Sequence, residues 1–200
     1  LLGGVHPTLL PQEAMQHADS VLTGLGEDSF PQALRDFAAG RLAPLYRQSC
    51  ETTVENRPLP RQDLLNRNRY ITLNTVEAIR GCCHTCTFCA YPQAFGKKLY
   101  KRTISDIIGE IKTLKGKFVL FPDVKLIAAR DFAMELFAAI VPLKKWWMGL
   151  TTTVINEAAE LLAMMNQRGC KGLHTGFEYV NHATQQDLRR GNLTPVDQYT

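Results

Sequence analysis

Four of the six cysteines in this chain of 200 residues fall in one short segment, from Cys82 to Cys89, and this clustering constrains the fold most. Cys50 and Cys170 stand alone, which is a poor framework for disulfide bonds. Clustered thiols with few other cysteines are typical of a metal-binding loop in a cytosolic protein, where disulfides are rare. We therefore expect a metal centre in this loop and a cytoplasmic location.

The spacing CxxxCxxC leaves several kinds of centre open. A structural zinc normally takes four ligands, so Cys82, Cys86 and Cys89 would need His84 or Cys83 beside them. A ferredoxin-type cluster also takes four cysteines, and only Cys83 or a distant cysteine could complete the set. Three cysteines would leave one iron of a four-iron cluster without a protein ligand, free to bind a further molecule.

Strands and helices alternate after Tyr70. We predict strands at 76–79, 118–121, 146–152 and 172–177, and helices at 106–115, 130–140, 157–167 and 184–190. This alternation favours an α/β fold whose parallel strands end at one edge. The cysteine loop follows the first of these strands, at the edge where α/β folds bind ligands. His174 alternates along the fourth strand, and we expect a structural role for it.

The cysteine motif resembles that of radical S-adenosylmethionine (SAM) enzymes, which read CxxxCxxC with an aromatic residue before the last cysteine. Cys82, Cys86, Phe88 and Cys89 fit this motif. The resemblance implies that the three cysteines ligate a 4Fe-4S cluster, whose open iron takes the amino and carboxylate groups of SAM. It also implies that Phe88 lies near the adenine, and that Glu178, at the exit of the fourth strand, lies near the methionyl or ribose groups.

The resemblance also implies a reaction and a fold. One electron from the cluster, supplied by an external donor such as flavodoxin or ferredoxin, cleaves SAM to methionine and a 5′-deoxyadenosyl radical. The fold is a partial (β/α) barrel, of which we expect the first four βα units. Two positions depart from the family pattern. Cys83 stands where relatives often carry Pro, and Pro122-Asp123-Val124 replaces Asp-Asp-Asn, which leaves Asp123 as the one acidic candidate there.

Glycine-rich turns mark the start of the chain. Gly3-Gly4-Val5-His6-Pro7-Thr8, followed by Gly24-Leu25-Gly26-Glu27, resembles the closing part of the Rossmann-like cobalamin-binding domain that precedes many radical SAM cores. The resemblance implies that Gly3 and Gly4 let the backbone approach the corrinoid tail, as glycine permits. We infer cobalamin for the intact parent protein. Around these turns we predict a helix at 11–17, a strand at 20–23 and a helix at 29–39.

Residues 48–69 carry Pro58, Pro60 and little apolar periodicity, so we predict a linker there. It would join a remnant of the cobalamin-binding domain at 1–47 to a truncated radical SAM core at 70–200. The chain begins without Met and stops inside what reads as a helix that begins after Asn192, so we expect an internal fragment.

The charge and hydropathy of the sequence limit which kinds of binding partner we expect. The net charge of +4 is scattered along the chain, so no nucleic-acid footprint is evident, and no run approaches the roughly 18 apolar residues of a membrane span. We expect a small-molecule substrate, with methyl transfer to, or cyclisation at, an unactivated carbon. A non-catalytic zinc or iron–sulfur module is one alternative. A methylthiotransferase is another, but it would need a second cysteine triad upstream, where only Cys50 lies.

Overall fold

The structure is a computed structural model, and it describes residues 1–84, 86–152, 155 and 159–176. The helices are α1 Val5–Leu9, α2 Pro11–Ala14, α3 Ser29–Ala38, α4 Ala90–Phe95, α5 Ile104–Thr113, α6 Arg130–Ile140 and α7 Ala159–Gln167. The strands are β1 Val21–Thr23, β2 Leu45–Arg47, β3 Ile79–Arg80, β4 Tyr100–Lys101, β5 Phe118–Phe121, β6 Trp146–Thr151 and β7 Cys170–Thr175. The predicted helix at 184–190 lies outside the described residues. None of the helices in these ranges is both long and apolar enough to span a membrane.

The first 47 residues form a small α/β unit. Strands β1 and β2 pair in parallel, and Leu2 extends this pairing through a bridge to Val21. The predicted strand 20–23 and helix 29–39 are confirmed, whereas helix α1 replaces a predicted turn and α2 stops at Ala14 rather than at residue 17. The unit has a core of its own, built from Leu22, Ala33 and Tyr46.

The face that α3 buries differs from the one its apolar spacing suggests. Phe30, Leu34 and Phe37 are 47%, 51% and 69% exposed. The buried side of α3 carries Ala33 and Asp36 instead, and the Asp36 carboxylate accepts a hydrogen bond of 3.0 Å from the Tyr46 hydroxyl. A polar contact to the neighbouring strand therefore orients this helix.

The second unit is built on the parallel sheet β5-β6-β7. Helix α6 crosses from β5 to β6 and α7 from β6 to β7, and they cover one large apolar core with α5. The Trp147 ring is fully buried at its centre, stacked on Phe137 with ring centroids 4.4 Å apart. The prediction of an α/β fold with parallel strands is confirmed for these three strands, and the bounds of β5 and α6 agree with the sequence.

The first predicted strand of this unit, 76–79, takes a different form. Thr75 makes a single parallel bridge to Leu120 of β5, and the chain then turns away. Strand β3 pairs with β4 in an antiparallel ladder of two residues each, which the sequence did not predict. The Asp123 carboxylate, just beyond β5, accepts hydrogen bonds from the backbone N–H groups of Ala78 and Ile79. A side chain thus takes the place of strand pairing where β5 has ended.

Candidate active site

The cysteine loop leaves β3 through a glycine that no other residue could replace without a shift. Gly81 has a φ of 118°, a conformation that side chains disfavour. A Cβ built on Gly81 would overlap the carbonyl oxygen of Lys98 and lie 3.2 Å from the Leu99 Cα. The segment just before β4 therefore passes directly over the start of the loop, and Cys82 follows Gly81 immediately.

All three predicted cluster cysteines line one cavity of about 240 Å³. The other lining residues come from the loop itself and from the carboxyl ends of β5, β6 and β7: His84, Phe88, Val124, Lys125, Leu150, Thr151, Thr152, His174 and Gly176. This is the edge at which the sequence predicted a site. None of these lining residues is an aspartate or a glutamate.

The thiols differ in their surroundings. Cys82 is buried, and burial raises the pKa of its thiol, although a hydrogen bond from the His84 backbone and the charge of Lys125 act in the opposite direction. Cys86 and Cys89 are partly buried, whereas Cys83 is exposed and does not line the cavity. Within the described ranges no three His, Cys, Asp or Glu side chains come together as a ready-made ligand set. Three cysteines on one cavity wall nevertheless fit a centre with three soft sulfur ligands.

His84 faces a lysine. Its Nε2 lies 2.9 Å from the Lys125 Nζ, so an ammonium at Lys125 donates to Nε2 and the ring carries its own proton on Nδ1. This contact occupies the lone pair that His84 would need to ligate a metal through Nε2.

Sequence reasoning missed several residues of the cavity wall. His174, expected to be structural, lies on the wall, and so do Lys125 and Thr152. The Thr152 hydroxyl is buried and has no hydrogen-bond partner among the described residues. The signal that could have found these residues is their place at the ends of parallel strands. Glu178 lies outside the described residues, although Gly176 just before it lines the cavity.

Asp123 does not face the cavity. It is buried, and its Oδ1 accepts from the N–H groups of Ala78, at 2.9 Å, and of Ile79. Burial raises the pKa of this carboxyl to about 7 and outweighs the two backbone hydrogen bonds, which lower it. The structure therefore gives Asp123 a role in holding the segment that leads into the cysteine loop.

The glycine turns of the first unit lie next to each other. Gly4 has a φ of 103° and precedes α1. The Thr8 hydroxyl donates to the Gly4 carbonyl at 2.6 Å and accepts from the Gly24 N–H at 2.9 Å. Gly3 packs against Leu22, where a Cβ would make ordinary contact. The turn from Gly24 to Glu27 also reaches the second unit, because Glu27 pairs with Arg80 of β3 at 2.7 Å.

Comparison with known proteins identifies the family. The family model described as the Radical SAM superfamily matches residues 76–196. This chain belongs to the radical SAM superfamily. The prediction made from the cysteine motif is thereby confirmed at the level of the family.

Named relatives of this radical SAM chain include methyltransferases. Bacteriochlorophyllide d C-12(1)-methyltransferase of Chlorobaculum tepidum is 25% identical over 202 residues, which cover 96% of this chain and 44% of that protein. A putative methylthiotransferase of Methanocaldococcus jannaschii is 32% identical over 114 residues, which cover 50% of this chain and 24% of that protein.

A solved structure shares the fold. The radical SAM methyltransferase TsrM of Kitasatospora setae, with cobalamin and a [4Fe-4S] cluster bound, superposes with a TM-score of 0.77 at 15% sequence identity. The superposition covers 98% of this chain and 46% of that one. The radical SAM chain therefore spans less than half the length of each of these three proteins.

Proposed function

We propose that this chain is the cluster-bearing part of a cobalamin-dependent radical SAM methyltransferase that acts on a small molecule. The observation that carries the proposal is the placement of Cys82, Cys86 and Cys89 on one cavity at the carboxyl ends of the parallel strands. Similarity to a named methyltransferase over 96% of the chain favours methyl transfer over cyclisation.

The residues of the loop suit this role. Cys82, Cys86 and Cys89 would hold a 4Fe-4S cluster, and the exposed Cys83 would take no part. When bound, the cluster supplies the electron for cleavage of SAM, and an external flavodoxin or ferredoxin would deliver it. Phe88 lines the same cavity and would contact the adenine, and Glu178 would contact the methionyl or ribose groups. The protein supplies orientation and exclusion of water.

Cobalamin would bind to the first unit of the parent protein. We assign 1–47 to the end of its cobalamin-binding domain, 48–69 to a linker and 70–200 to the radical SAM core. The separate parallel pair β1-β2 and its separate core support this division. Gly3 and Gly4 would let the backbone approach the corrinoid tail, and the ion pair between Glu27 and Arg80 lies between the two units.

A matched pair of cysteine variants tests the cluster assignment. The full-length parent protein is reconstituted anaerobically with iron and sulfide, and iron, 5′-deoxyadenosine and S-adenosylhomocysteine are measured. We expect about four iron atoms per chain, and their loss in Cys86→Ala but not in Cys83→Ala. A zinc protein, or a cluster that survives Cys86→Ala, would contradict the proposal.

The products separate the remaining functions. Methyl transfer from SAM through cobalamin leaves S-adenosylhomocysteine, whereas cyclisation forms none. A methylthiotransferase would instead place sulfur as well as a methyl group on its substrate and would work without cobalamin. Retention of full activity in protein freed of cobalamin would therefore favour the similarity to the putative methylthiotransferase.

A further inference from the structure

Two hydrogen bonds hold the peptide group that links Lys125 to Leu126, in the segment after β5. The Lys125 carbonyl accepts a hydrogen bond of 3.0 Å from the Ala128 N–H, and the next residue, Leu126, donates from its N–H to Leu150 of β6 at 3.2 Å. The Leu126 side chain is buried over Gly149, where a Cβ would lie 2.7 Å from its Cδ2. Lys125 thus projects from a well-held turn at the carboxyl edge of the sheet.

The Lys125 ammonium lies at the cavity that contains the three cysteines. Its Nζ is 2.9 Å from the His84 Nε2, which uses one of its three N–H donors. In the part of the chain that the structure describes, it forms no ion pair with a carboxylate. Two donors of a fixed cation therefore remain for a ligand.

The charged and polar groups on the cavity wall indicate which kind of ligand the cavity can bind. Among the described residues that line the cavity there is no aspartate or glutamate, and Asp123 is turned inward to the backbone of Ala78 and Ile79. The buried Thr152 hydroxyl adds a second polar group that has no partner among the described residues. A cation and a hydroxyl on this part of the wall favour an anionic oxygen group, and hydrogen bonds between ions are the strong ones.

We propose that Lys125 binds the methionyl carboxylate of SAM in this cavity. The inference rests on the proposed function, because it takes the three cysteines to hold the cluster to which SAM binds. Lys125 and the three cysteines line the same cavity. A carboxylate held between the cysteine loop and Lys125 would be oriented from both sides.

Equilibrium dialysis against two ligands tests this role. The reconstituted full-length protein is titrated with SAM and with decarboxylated SAM, which lacks only the carboxylate. Lys125→Met should weaken SAM binding about 10- to 100-fold, as expected for one hydrogen bond between charged groups. Decarboxylated SAM should bind the variant and the wild type equally. Lys125→Arg should recover most of the affinity for SAM, because it keeps the charge.

Lys112→Met is the matched control. Lys112 is an exposed lysine in the last turn of α5, so its replacement removes the same charge without touching the cavity, and SAM binding should not change. Iron content is measured in every variant. If the wild type assembles its cluster and binds SAM, but Lys125→Met binds SAM equally well, the role of Lys125 is refuted and the proposed function stands. Equal losses for both ligands in Lys125→Met would also refute it. A wild-type protein without cluster or SAM binding would overturn both proposals.

Discussion

The Asp123 carboxyl group lies close to the active site, but its hydrogen bonds are to backbone N–H groups. Its Oδ1 accepts from two consecutive N–H groups, and its Oδ2 is buried without a partner among the described residues. A buried carboxylate is costly unless it is paired, so the proton is retained to higher pH than usual. Because the pKa lies at about 7 in the folded protein, the group ionises within the physiological range.

This pKa makes the free energy of unfolding depend on pH. The stability that Asp123 contributes is complete below its unfolded pKa of about 3.9 and is lost as the pH rises through about 7. Asp123→Asn keeps an acceptor oxygen but cannot ionise. Relative to the wild type, this variant should therefore gain about 2–3 kcal/mol between pH 5 and pH 8, at roughly 1.4 kcal/mol per pKa unit. Urea unfolding at the two pH values measures the difference.

Asp131→Asn provides the comparison, since Asp131 is an exposed carboxyl group in the first turn of α6. Its stability relative to the wild type should be the same at both pH values. A parallel pH dependence in Asp123→Asn and the wild type would mean that Asp123 is ionised throughout this range.

The motif predicted the cysteines and Phe88 of the site, but not the wall residues that come from the strand ends. Cys82, Cys86 and Cys89 lie within one loop, so their common chemistry can be read from the sequence. Lys125, Thr152 and His174 come from three different strand ends, and only the parallel sheet brings them to one cavity. The alternation of side chains along the fourth predicted strand does not show whether His174 faces the core or the cavity.

Among the secondary-structure elements, those with a clear period were predicted well. Strand β5 and helix α6 have the predicted bounds, because an apolar run and an apolar stripe specify them. The antiparallel pair β3-β4 was missed because each strand has two residues, too few to show the alternating pattern of a strand. Its geometry depends on the close approach of Gly81 to Lys98, a tertiary contact. Helix α4 follows the cysteine loop directly and has six residues with no buried face.

A buried ion pair connects the end of β4 to α5. Arg102, just after β4, bonds to Glu110 of α5 at 2.5 Å, and the two side chains are 2% and 3% exposed. Arg102 also donates to the Glu77 carbonyl at 2.9 Å. Removing one partner would leave the other charge buried and uncompensated, which is far more costly than replacing both.

A double-mutant cycle on this pair should be strongly non-additive. Glu110→Leu alone should lower the free energy of unfolding by about 3–5 kcal/mol, because Arg102 remains charged in the core. The double variant Arg102→Met with Glu110→Leu should lose less than the sum of the single variants. Chemical denaturation of all four proteins gives the coupling free energy. Additive losses would show that the two side chains do not depend on each other.

At the scale of the whole molecule, a small set of polar side chains joins the two units. Glu27 of the glycine turn pairs with Arg80, which pairs in turn with Glu77, and Glu77 pairs with Arg57. Burial raises the pKa of Glu77, but the bonds and charges of its arginine partners prevail, and the pKa lies below its usual value. Gln48 adds a second link, because its amide accepts from Leu25 N–H and donates to the Tyr100 hydroxyl.

Arg80 stands directly before Gly81 and the cysteine loop. Loss of its pairing with Glu27 should therefore lower the local stability of both units. The Glu27 and Arg80 side chains are 18% and 20% exposed, which shields their bond from solvent more than a surface pair. Glu27→Gln should therefore increase hydrogen exchange both at the turn 24–27 and in β3, with an opening free energy lower by about 1–3 kcal/mol. Asp63→Asn, which breaks the exposed pair of Arg61 and Asp63, should leave exchange at the turn 24–27 and in β3 unchanged. Faster exchange at the turn alone, with β3 unaffected, would show that this ion pair does not couple the glycine turn to the strand that carries the cysteines.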